Sequence, residues 1–458
     1  MIRFLVLFLF ICTWLLPAQA HAFCAVPLQA AADSDTATTA PLHCRMIIAG
    51  NGEQTRFTLD IAAQPGLAGV LLPVPQGTEI ASFARGSYYA VLNFEAYTRP
   101  GILRLQDPDP CQANRTQKVM PPVQAQPTHR SLSGTIPLQS AYLQTALGAE
   151  DMATEGDLRR ALIRQGLKAG TQQLAALVRL AGQGQSFVLL KPTSSNGGLA
   201  HYPPISWSRD GWRGDIWLAP LAPARSRMTV VTITPAHVLM PSDVPMLDLP
   251  MGPTVPRYVD YGSQDLWRAI TKRVLDKQPR TQPVSHIREF AGPALNDCQT
   301  CVADLPGPDS FSALGADWAI ENVGSIFSAQ EEGEEAEPIE EDQVVNQAVL
   351  SRFTLFGRTA ANPAPVKLVS SSAVQAFHAH VTTHTPWPGS RQSCAAASGY
   401  RQQVAVRNHG AARTLSRLTG WKLDAIMQRM RDTGAPIADP AIKPPAPRWY
   451  RRLMDRQE

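Results

Sequence analysis

Two cysteines three positions apart, Cys298 and Cys301, are the first residues whose types and spacing could carry chemistry. They lie in the stretch NDCQTCVADLPGP (296–308). A reactive C-x-x-C pair sits at a helix N-terminus, where the thiol pKa falls. Here Asp297 precedes the pair and would raise that pKa, and prolines follow it closely. We therefore predict a structural disulfide and keep thiol–disulfide exchange and a metal corner as alternatives.

Three histidines near the end of the chain, His378, His380 and His384, have the same parity. On one strand, residues two apart share a face, so their imidazoles could converge on a metal ion. The alternative is a solvent-facing polar side of a strand beside Phe377. We carry His378 and His380, with His384 as a third ligand, as a metal-binding hypothesis.

Two carboxylates, Asp107 and Asp109, are presented by the rigid sequence D-P-D-P just before Cys111. General acid–base catalysis needs such groups in a cleft with separated pKa values. A turn that ends in a disulfide cysteine explains the segment equally well. The pair is a weak indication of catalysis.

Three tryptophans recur every five residues, at Trp207, Trp212 and Trp217, with charged residues between them. Aromatic rings spaced in this way can form a platform for sugars or peptides. They are also typical of a buried strand pair with a hairpin at 210–211, which we favour. The sequence contains no G-x-S-x-G, phosphate-loop or H-E-x-x-H motif.

The N-terminus predicts export. Arg3 precedes the apolar run FLVLFLFICTWLL (4–16), and two A-x-A sites follow it. This is the pattern of a cleavable signal peptide over residues 1–22. The run is too short to span a bilayer, which needs about 20 apolar residues. We predict a soluble periplasmic or secreted protein without a transmembrane segment after cleavage.

The number of cysteines supports disulfide bonds. The chain has 7 cysteines, and Cys12 leaves with the signal peptide. The remaining cysteines are even in number, and in an exported protein they are disulfide candidates: Cys24, Cys44, Cys111, Cys298, Cys301 and Cys394. The sequence does not determine how they pair. The formal net charge of +4 over 458 residues indicates no nucleic-acid partner.

The elements that must position these residues are short strands mixed with helices. Asn51-Gly52 predicts a hairpin between two alternating segments. Thr154 and Asp157 predict a capped helix, and further apolar stripes begin at Thr171, Ser263 and Leu423. The predicted fold class is α+β, with mixed or antiparallel sheets, inserted short helices and disulfide bonds.

The length of the chain after the signal peptide suggests two or three subdomains, at about 150 residues each. We place an N-terminal β-rich α+β domain at 23–255, a C-terminal α+β domain at 256–435, and a basic Pro-rich tail at 436–458. The segment 331–342 carries eight acidic residues in twelve positions and predicts a solvated loop.

Several segments, in this order along the chain, together resemble one family: Phe23-Cys24, GVLLPVP (69–75), DPDPC (107–111), DLRRALIRQGLKAG leading into SFVLLKP, NDCQTC, ALGADW (313–318), AVLSRFTLF (348–356), HTPWPG (384–389) and LTGWKLDAIMQRM (418–430). The chain resembles the exported bacterial proteins of domain-of-unknown-function family 2330. The resemblance implies a secreted or periplasmic α+β protein without an assigned activity, and it transfers no catalytic residues. The acidic segment and the histidines at 378 and 380 depart from the family pattern.

These observations favour a non-enzymatic cell-envelope protein, a binding or scaffold module stabilised by disulfides. We expect no cofactor, and the sequence does not identify the partner. The alternatives are a thiol–disulfide oxidoreductase that uses Cys298 and Cys301, and a metal-binding protein that uses His378 and His380.

Overall fold

The structure is a computed structural model. It describes the following residues, to which every structural statement below refers: 21–23, 25–31, 43–62, 68–75, 81–82, 85–112, 118–119, 142–148, 150–182, 185–192, 204–211, 215–216, 219–222, 227–242, 245–257, 263–278, 284–295, 298–323, 342–345, 348–357, 366–371, 376–390 and 392–437. In these ranges no helix has the length and apolarity needed to cross a membrane.

Helices and strands are mixed along the chain, so the α+β prediction is confirmed. The α-helices are α1 (Arg85–Thr98), α2 (Glu155–Arg164), α3 (Thr171–Ala181), α4 (Ser263–Asp276), α5 (Pro308–Ala313), α6 (Ala395–Thr419) and α7 (Leu423–Asp432). Short 3₁₀ helices span Glu150–Met152 and Asp317–Ala319.

The strands of the first half are β1 (His21–Phe23), β2 (Val26–Ala30), β3 (His43–Gly50), β4 (Gln54–Ala62), β5 (Gly69–Pro75), β6 (Ala81–Ser82), β7 (Gly101–Gln106), β8 (Lys118–Val119), β9 (Tyr142–Leu147), β10 (Leu167–Lys168), β11 (Gln185–Pro192) and β12 (Ile205–Asp210). The strands of the second half are β13 (Asp215–Ile216), β14 (Ala219–Ala222), β15 (Arg227–Thr234), β16 (Val238–Pro241), β17 (Met246–Asp248), β18 (Met251–Thr254), β19 (Val284–Pro293), β20 (Ile320–Val323), β21 (Asp342–Val345), β22 (Val349–Gly357), β23 (Val366–Ser371), β24 (Phe377–His378) and β25 (His380–Thr385).

The largest sheet has the order β17-β19-β22-β15-β3-β4-β12-β6, with β24 paired to β19. A second sheet has the order β10-β2-β5-β11-β9. Alternation along β5 explains how the two stack. Val70, Leu72 and Val74 join the core that includes Ile48 of the large sheet. Leu71, which points the other way, packs with the buried leucines of α2 and α3.

The opposite face of the large sheet is covered by helices. Ile47 and Val231 from the sheet pack with Phe94 of α1 and Phe311 of α5. The rings of these two phenylalanines meet edge to face, with centroids 4.8 Å apart. The resulting order is helix, sheet, sheet, helix, an arrangement in which both faces of each sheet are buried.

Local signals explain several of these boundaries. Gly52 has φ +98° in the turn between β3 and β4, as the hairpin prediction requires. Thr154 caps α2 by accepting the backbone N–H of Asp157 at 3.1 Å. The helices predicted to begin at Thr171, Ser263 and Leu423 also form.

The predicted domain boundary at 255/256 does not separate two sheets. Strands β3, β4, β12 and β15 lie before it and β19 and β22 after it, yet all belong to the large sheet. Pairing of β15 with β22 runs from Arg227 and Phe356 to Thr234 and Val349. The segments on either side of the predicted boundary therefore complete one hydrogen-bonded ladder.

The predicted hairpin at 210–211 is wrong. Strand β12 pairs with β4 and β6, whereas β13 pairs with β23. Gly211 does adopt a positive φ of 69°, but it ends β12 and donates its N–H to Glu53. Gly211 is therefore a turn residue, but the strands that pair with β12 come from distant segments of the chain.

A small parallel pair, β7 and β25, positions the residues of chemical interest. Its sheet has the order β18-β25-β7-β8, and β7 and β25 run parallel from Gly101 and His380 to Gln106 and Thr385. One end of this strand pair therefore lies next to residues 99–101 and 378–380. The other lies next to residues 106–107 and 384–385.

Candidate functional site

The carboxyl ends of β7 and β25 meet at Asp107, whose side chain is buried. Its backbone N–H continues the ladder by donating to Thr385 at 2.9 Å. Arg407 of α6 donates to both carboxylate oxygens, at 3.0 and 2.5 Å. Tyr400 donates its hydroxyl at 2.7 Å, and His384 Nδ1 lies 3.2 Å from Oδ1. Asp107 is thus the centre of a hydrogen-bonded cluster that ties both strands to α6.

The cluster shifts the pKa values of its members. Burial alone would raise the pKa of Asp107, but hydrogen bonds from His384, Arg407 and Tyr400 and the Arg407 charge outweigh it and hold the pKa well below its ordinary value. Burial and the hydrogen bond to Asp107 raise the pKa of Tyr400 to about 12. The carboxylate is a fixed anion and not a proton donor at neutral pH.

Asp109, the second carboxylate of D-P-D-P, has different partners. It accepts the backbone N–H of Cys111 at 2.9 Å and the side chain of Gln112 at 3.3 Å, within its own turn. The two carboxylates therefore have separate structural roles, and Asp109 lies in the turn that the sequence offered as the alternative to a catalytic pair. Cys111, at the end of that turn, is bonded to Cys394 immediately before α6.

The segment 384–390 is fixed between these contacts. Trp387 donates its backbone N–H to the Tyr400 hydroxyl at 2.7 Å, and Arg401 donates to the Gly389 carbonyl. The Trp387 ring lies edge to face with Tyr400, at 6.1 Å between centroids. The Arg401 guanidinium lies 5.8 Å from the centroid of each ring. Gly389 is required here because a Cβ would overlap the Trp387 ring.

The amino ends of β7 and β25 carry the other disulfide, Cys298–Cys301. Cys301 is buried and Cys298 half-buried. The turn between them packs against the start of β7, where a Cβ on Gly101 would overlap the Thr300 carbonyl. No helix begins on the pair, since α5 starts at Pro308. Both cysteines were predicted to be disulfide-bonded, to each other or to separate partners, and the structure bonds them to each other.

His378 lies beside this disulfide and is buried. Its Nε2 is 3.0 Å from the Arg99 carbonyl, and its Nδ1 is 2.6 Å from the Thr300 hydroxyl. A carbonyl only accepts, so Nε2 carries the proton and Nδ1 accepts from Thr300. Burial lowers the pKa of His378 to about 4, which keeps the imidazole neutral.

The structure does not gather the three predicted histidine ligands into one group. His380 Nδ1 is 2.9 Å from the His378 carbonyl, and His384 binds Asp107 at the far end of β25. Metal binding by His378, His380 and His384 stays a prediction. Within the described ranges, the one group of three possible ligands found close together is Cys298, Cys301 and His378.

The remaining candidate residues from the sequence lie away from both ends of the β7–β25 pair or outside the described residues. Trp207 is buried and stacks on Phe57 at 5.4 Å, while Trp212 and Trp217 lie outside the described residues. Cys44 is disulfide-bonded, and Cys24 lies outside the described residues. The acidic segment is also outside them, except for Asp342 at the start of β21.

A partly buried ion network between the large sheet and α1 was not predicted. Arg45 contacts Asp60 at 2.5 Å and Glu95 of α1 at 2.6 Å. Arg352 contacts Glu289 at 2.6 Å and donates to the Glu95 carbonyl at 2.8 Å. Although burial opposes the Arg45 charge, both carboxylates raise its pKa. The sequence feature that could have indicated this network is a charged residue inside otherwise apolar strand segments. The network attaches α1 to the sheet.

Comparison with known proteins finds no family model that matches the chain, and no curated protein or solved structure with significant similarity. The resemblance to domain-of-unknown-function family 2330 therefore stays a prediction.

Proposed function

We propose that the chain is an exported, disulfide-braced binding module of the cell envelope, with a contact surface formed by Trp387, Tyr400 and Arg401. One observation carries this proposal. Tryptophan, tyrosine and arginine dominate the energetics of binding surfaces, and here one of each packs together in half-buried positions.

The fixed geometry of this surface also supports the proposal. Ordering a mobile side chain at an interface costs about 0.5–1.5 kcal/mol. Trp387 is already held by Tyr400 and by its packing over Gly389. The Asp107 cluster and the Cys111–Cys394 bond hold the segment that carries it. A partner therefore meets a preorganised surface.

The side chains define the chemistry of a partner. An indole face takes an apolar side chain or a sugar ring, and a guanidinium takes a carboxylate or carbonyl oxygen. A polymer or protein of the envelope that presents a ring or apolar group next to a carboxylate fits this surface. No catalytic step is part of the proposal.

Export is part of the same proposal, and its test is the N-terminus of the protein isolated from its host. The two A-x-A sites place cleavage before His21 or Phe23. Intact-mass measurement and N-terminal sequencing should find one of these residues first. A chain that retains Met1 in the envelope fraction would contradict cleavage.

The contact surface is tested by photo-crosslinking in intact cells. A photoreactive amino acid replaces Ser390, which is exposed beside Trp387. The control position is Ile163 on α2, which is 54% exposed and belongs to another layer. We expect discrete adducts from position 390, their loss when Trp387→Ala is added, and none from position 163. Equal adducts from both positions, or none from 390, would overturn the proposed surface.

A second candidate function is thiol–disulfide exchange at Cys298 and Cys301. The observation in its favour is their unequal burial, because an attacking cysteine must be reached while its resolving partner is shielded. The pair lacks a helix N-terminus to lower the thiol pKa, since α5 begins at Pro308. This candidate therefore ranks second.

A redox titration separates a structural bond from an exchanging pair. Thiol labelling with mass spectrometry at set potentials reports the 298–301 bond. Exchange enzymes titrate between about −120 and −270 mV, and structural disulfides below about −300 mV. Titration in the upper window, together with disulfide reductase activity lost in Cys298→Ser, would promote the second candidate to the first.

A further inference from the structure

The amino end of the β7–β25 pair brings together side chains that can bind a metal ion. The possible ligand atoms of Cys298, Cys301 and His378 all lie within 4.8 Å of one another. The C-x-x-C spacing is that of half of a structural zinc site. In the oxidised structure these sulfurs are bonded to each other.

The orientation of His378 matches that of a ligating histidine. Metal-bound imidazoles donate their second ring N–H to a carbonyl or carboxylate, which fixes the tautomer. Here Nε2–H is donated to the Arg99 carbonyl at 3.0 Å. The lone pair of Nδ1 therefore remains for a ligand, and it now accepts the Thr300 hydroxyl at 2.6 Å.

The geometry points to a redox-gated site for a thiophilic divalent cation, with Zn²⁺ as the reference ion, formed by Cys298, Cys301 and His378 when their disulfide is reduced. Three protein donors leave a fourth position for solvent or another ligand. The site is closed while the disulfide is intact, because neither sulfur then has a thiolate charge. Reduction is the switch that opens it.

The chemical balance is simple. A dithiol reductant delivers two electrons and two protons to the Cys298–Cys301 bond and is itself oxidised to a disulfide. The two thiols then lose their protons to solvent as Zn²⁺ binds the thiolates. His378 contributes the Nδ1 lone pair without a proton change, and the Thr300 hydroxyl turns away.

The required movements are small. In a tetrahedral site the sulfur atoms lie about 3.8 Å apart and each lies about 3.6 Å from the nitrogen, given the usual bond lengths. One ring nitrogen of His378 and the two sulfur atoms already lie within 4.8 Å of one another, and the Cα atoms of the cysteines are 5.3 Å apart. The turn is held on Gly101 by close backbone packing, so side-chain rotation is sufficient.

This inference does not rest on the proposed function, because Trp387 and the Asp107 cluster lie at the opposite end of β25. The test uses the full mature protein, freed of metal, reduced with a phosphine and handled without oxygen. Zn²⁺ is titrated against a chromophoric chelator, and Co²⁺ reports thiolate ligands through its charge-transfer band. Reduced protein should bind one equivalent with that band, and oxidised protein should not compete for Zn²⁺.

Variants identify the ligands. Cys298→Ser alters a half-buried side chain and should weaken binding by roughly 100-fold or more, as should His378→Ala. His380→Ala is the matched control, because His380 lies outside the group, and it should bind as the wild type does. Thr300→Val removes the competing hydroxyl and should tighten binding about threefold to tenfold.

Each remaining outcome overturns the inference. Failure of reduced protein to bind, equal binding by oxidised protein, or unchanged affinity in Cys298→Ser would remove this site. Loss of binding in His380→Ala with full binding in His378→Ala would do so as well. Circular dichroism of each variant verifies folding, and Cys298→Ser decides the matter if His378→Ala does not fold.

Discussion

The two ends of the β7–β25 strand pair carry a disulfide each, but the bonds join the chain very differently. Cys111–Cys394 connects residues 283 positions apart and lies next to a buried carboxylate with several donors. Cys298–Cys301 spans 3 positions and lies next to a neutral histidine. The Cys111–Cys394 bond links β7 to α6, which are far apart in the sequence. The Cys298–Cys301 bond only closes a short turn, so its reduction frees no distant segment. We infer that the first end serves rigidity and the second can change state.

The largest expected effect is on stability. In the chain-entropy model, a bond across 283 residues contributes about 5.6 kcal/mol and one across 3 residues about 2 kcal/mol. The double variant Cys111→Ser, Cys394→Ser should therefore lower the free energy of unfolding far more than Cys298→Ser, Cys301→Ser. Urea denaturation measures both. Equal losses, or the reverse order, would break the comparison between the two ends.

The next largest loss of stability is expected from neutralising the Asp107 carboxylate. Asp107→Asn leaves Arg407 facing a neutral amide, and breaking a buried ion pair costs about 3–5 kcal/mol. Arg407 is partly exposed, so we expect about 3 kcal/mol. Asp109→Asn is the matched control in the same turn, and it should cost less than about 1 kcal/mol. If Asp109→Asn is the more damaging substitution, Asp107 is not the centre of this end.

The two ends of the β7–β25 pair should lose stability over different pH ranges. The pKa of Asp107 is lowered by folding, so its contribution is complete above the unfolded value of about 4 and is lost as the pH falls below it. The stability gap between wild type and Asp107→Asn should therefore close in acid.

His378 also has its pKa lowered by folding, from 6.5 to about 4. The unfolded chain takes up the proton first, so stability falls as the pH drops from about 6.5 to about 4. His378→Gln keeps an N–H for the Arg99 carbonyl and should lose this slope, worth about 3 kcal/mol between the two pKa values. An unchanged slope would assign the dependence to other groups.

The smallest expected loss of stability comes from removing one hydrogen-bond donor to Asp107, the Tyr400 hydroxyl. Tyr400→Phe removes the hydroxyl that bonds Asp107 at 2.7 Å and accepts from Trp387. The loss should be about 1 kcal/mol, because Arg407 still satisfies the carboxylate. Thermal melts at neutral pH measure it. A loss as large as that of Asp107→Asn would mean that the hydroxyl, and not the ion pair, holds this end.

Local features were predictable where short-range chemistry decides them. The turn at Gly52 and the cap at Thr154 follow from neighbouring residues, as does the oxidation of Cys298 and Cys301, although their pairing with each other was left open. Contacts between residues far apart in the sequence were not predictable in this way. Asp107 finds Arg407 three hundred positions away, and β13 finds β23 and not β12. Helix α6 was missed because Gly399 and Gly410 interrupt a weakly amphipathic sequence.

The central claim is that the two ends act independently, one presenting Trp387 to a partner and the other carrying the changeable cysteine pair. Photo-crosslinking from position 390 tests it when performed in three backgrounds: wild type, Asp107→Asn, and Cys298→Ser with Cys301→Ser. The account predicts full adduct in the cysteine variant and loss in folded Asp107→Asn, because Asp107 holds segment 384–390 in place. Adduct retained in Asp107→Asn, or lost in the cysteine variant, would contradict it.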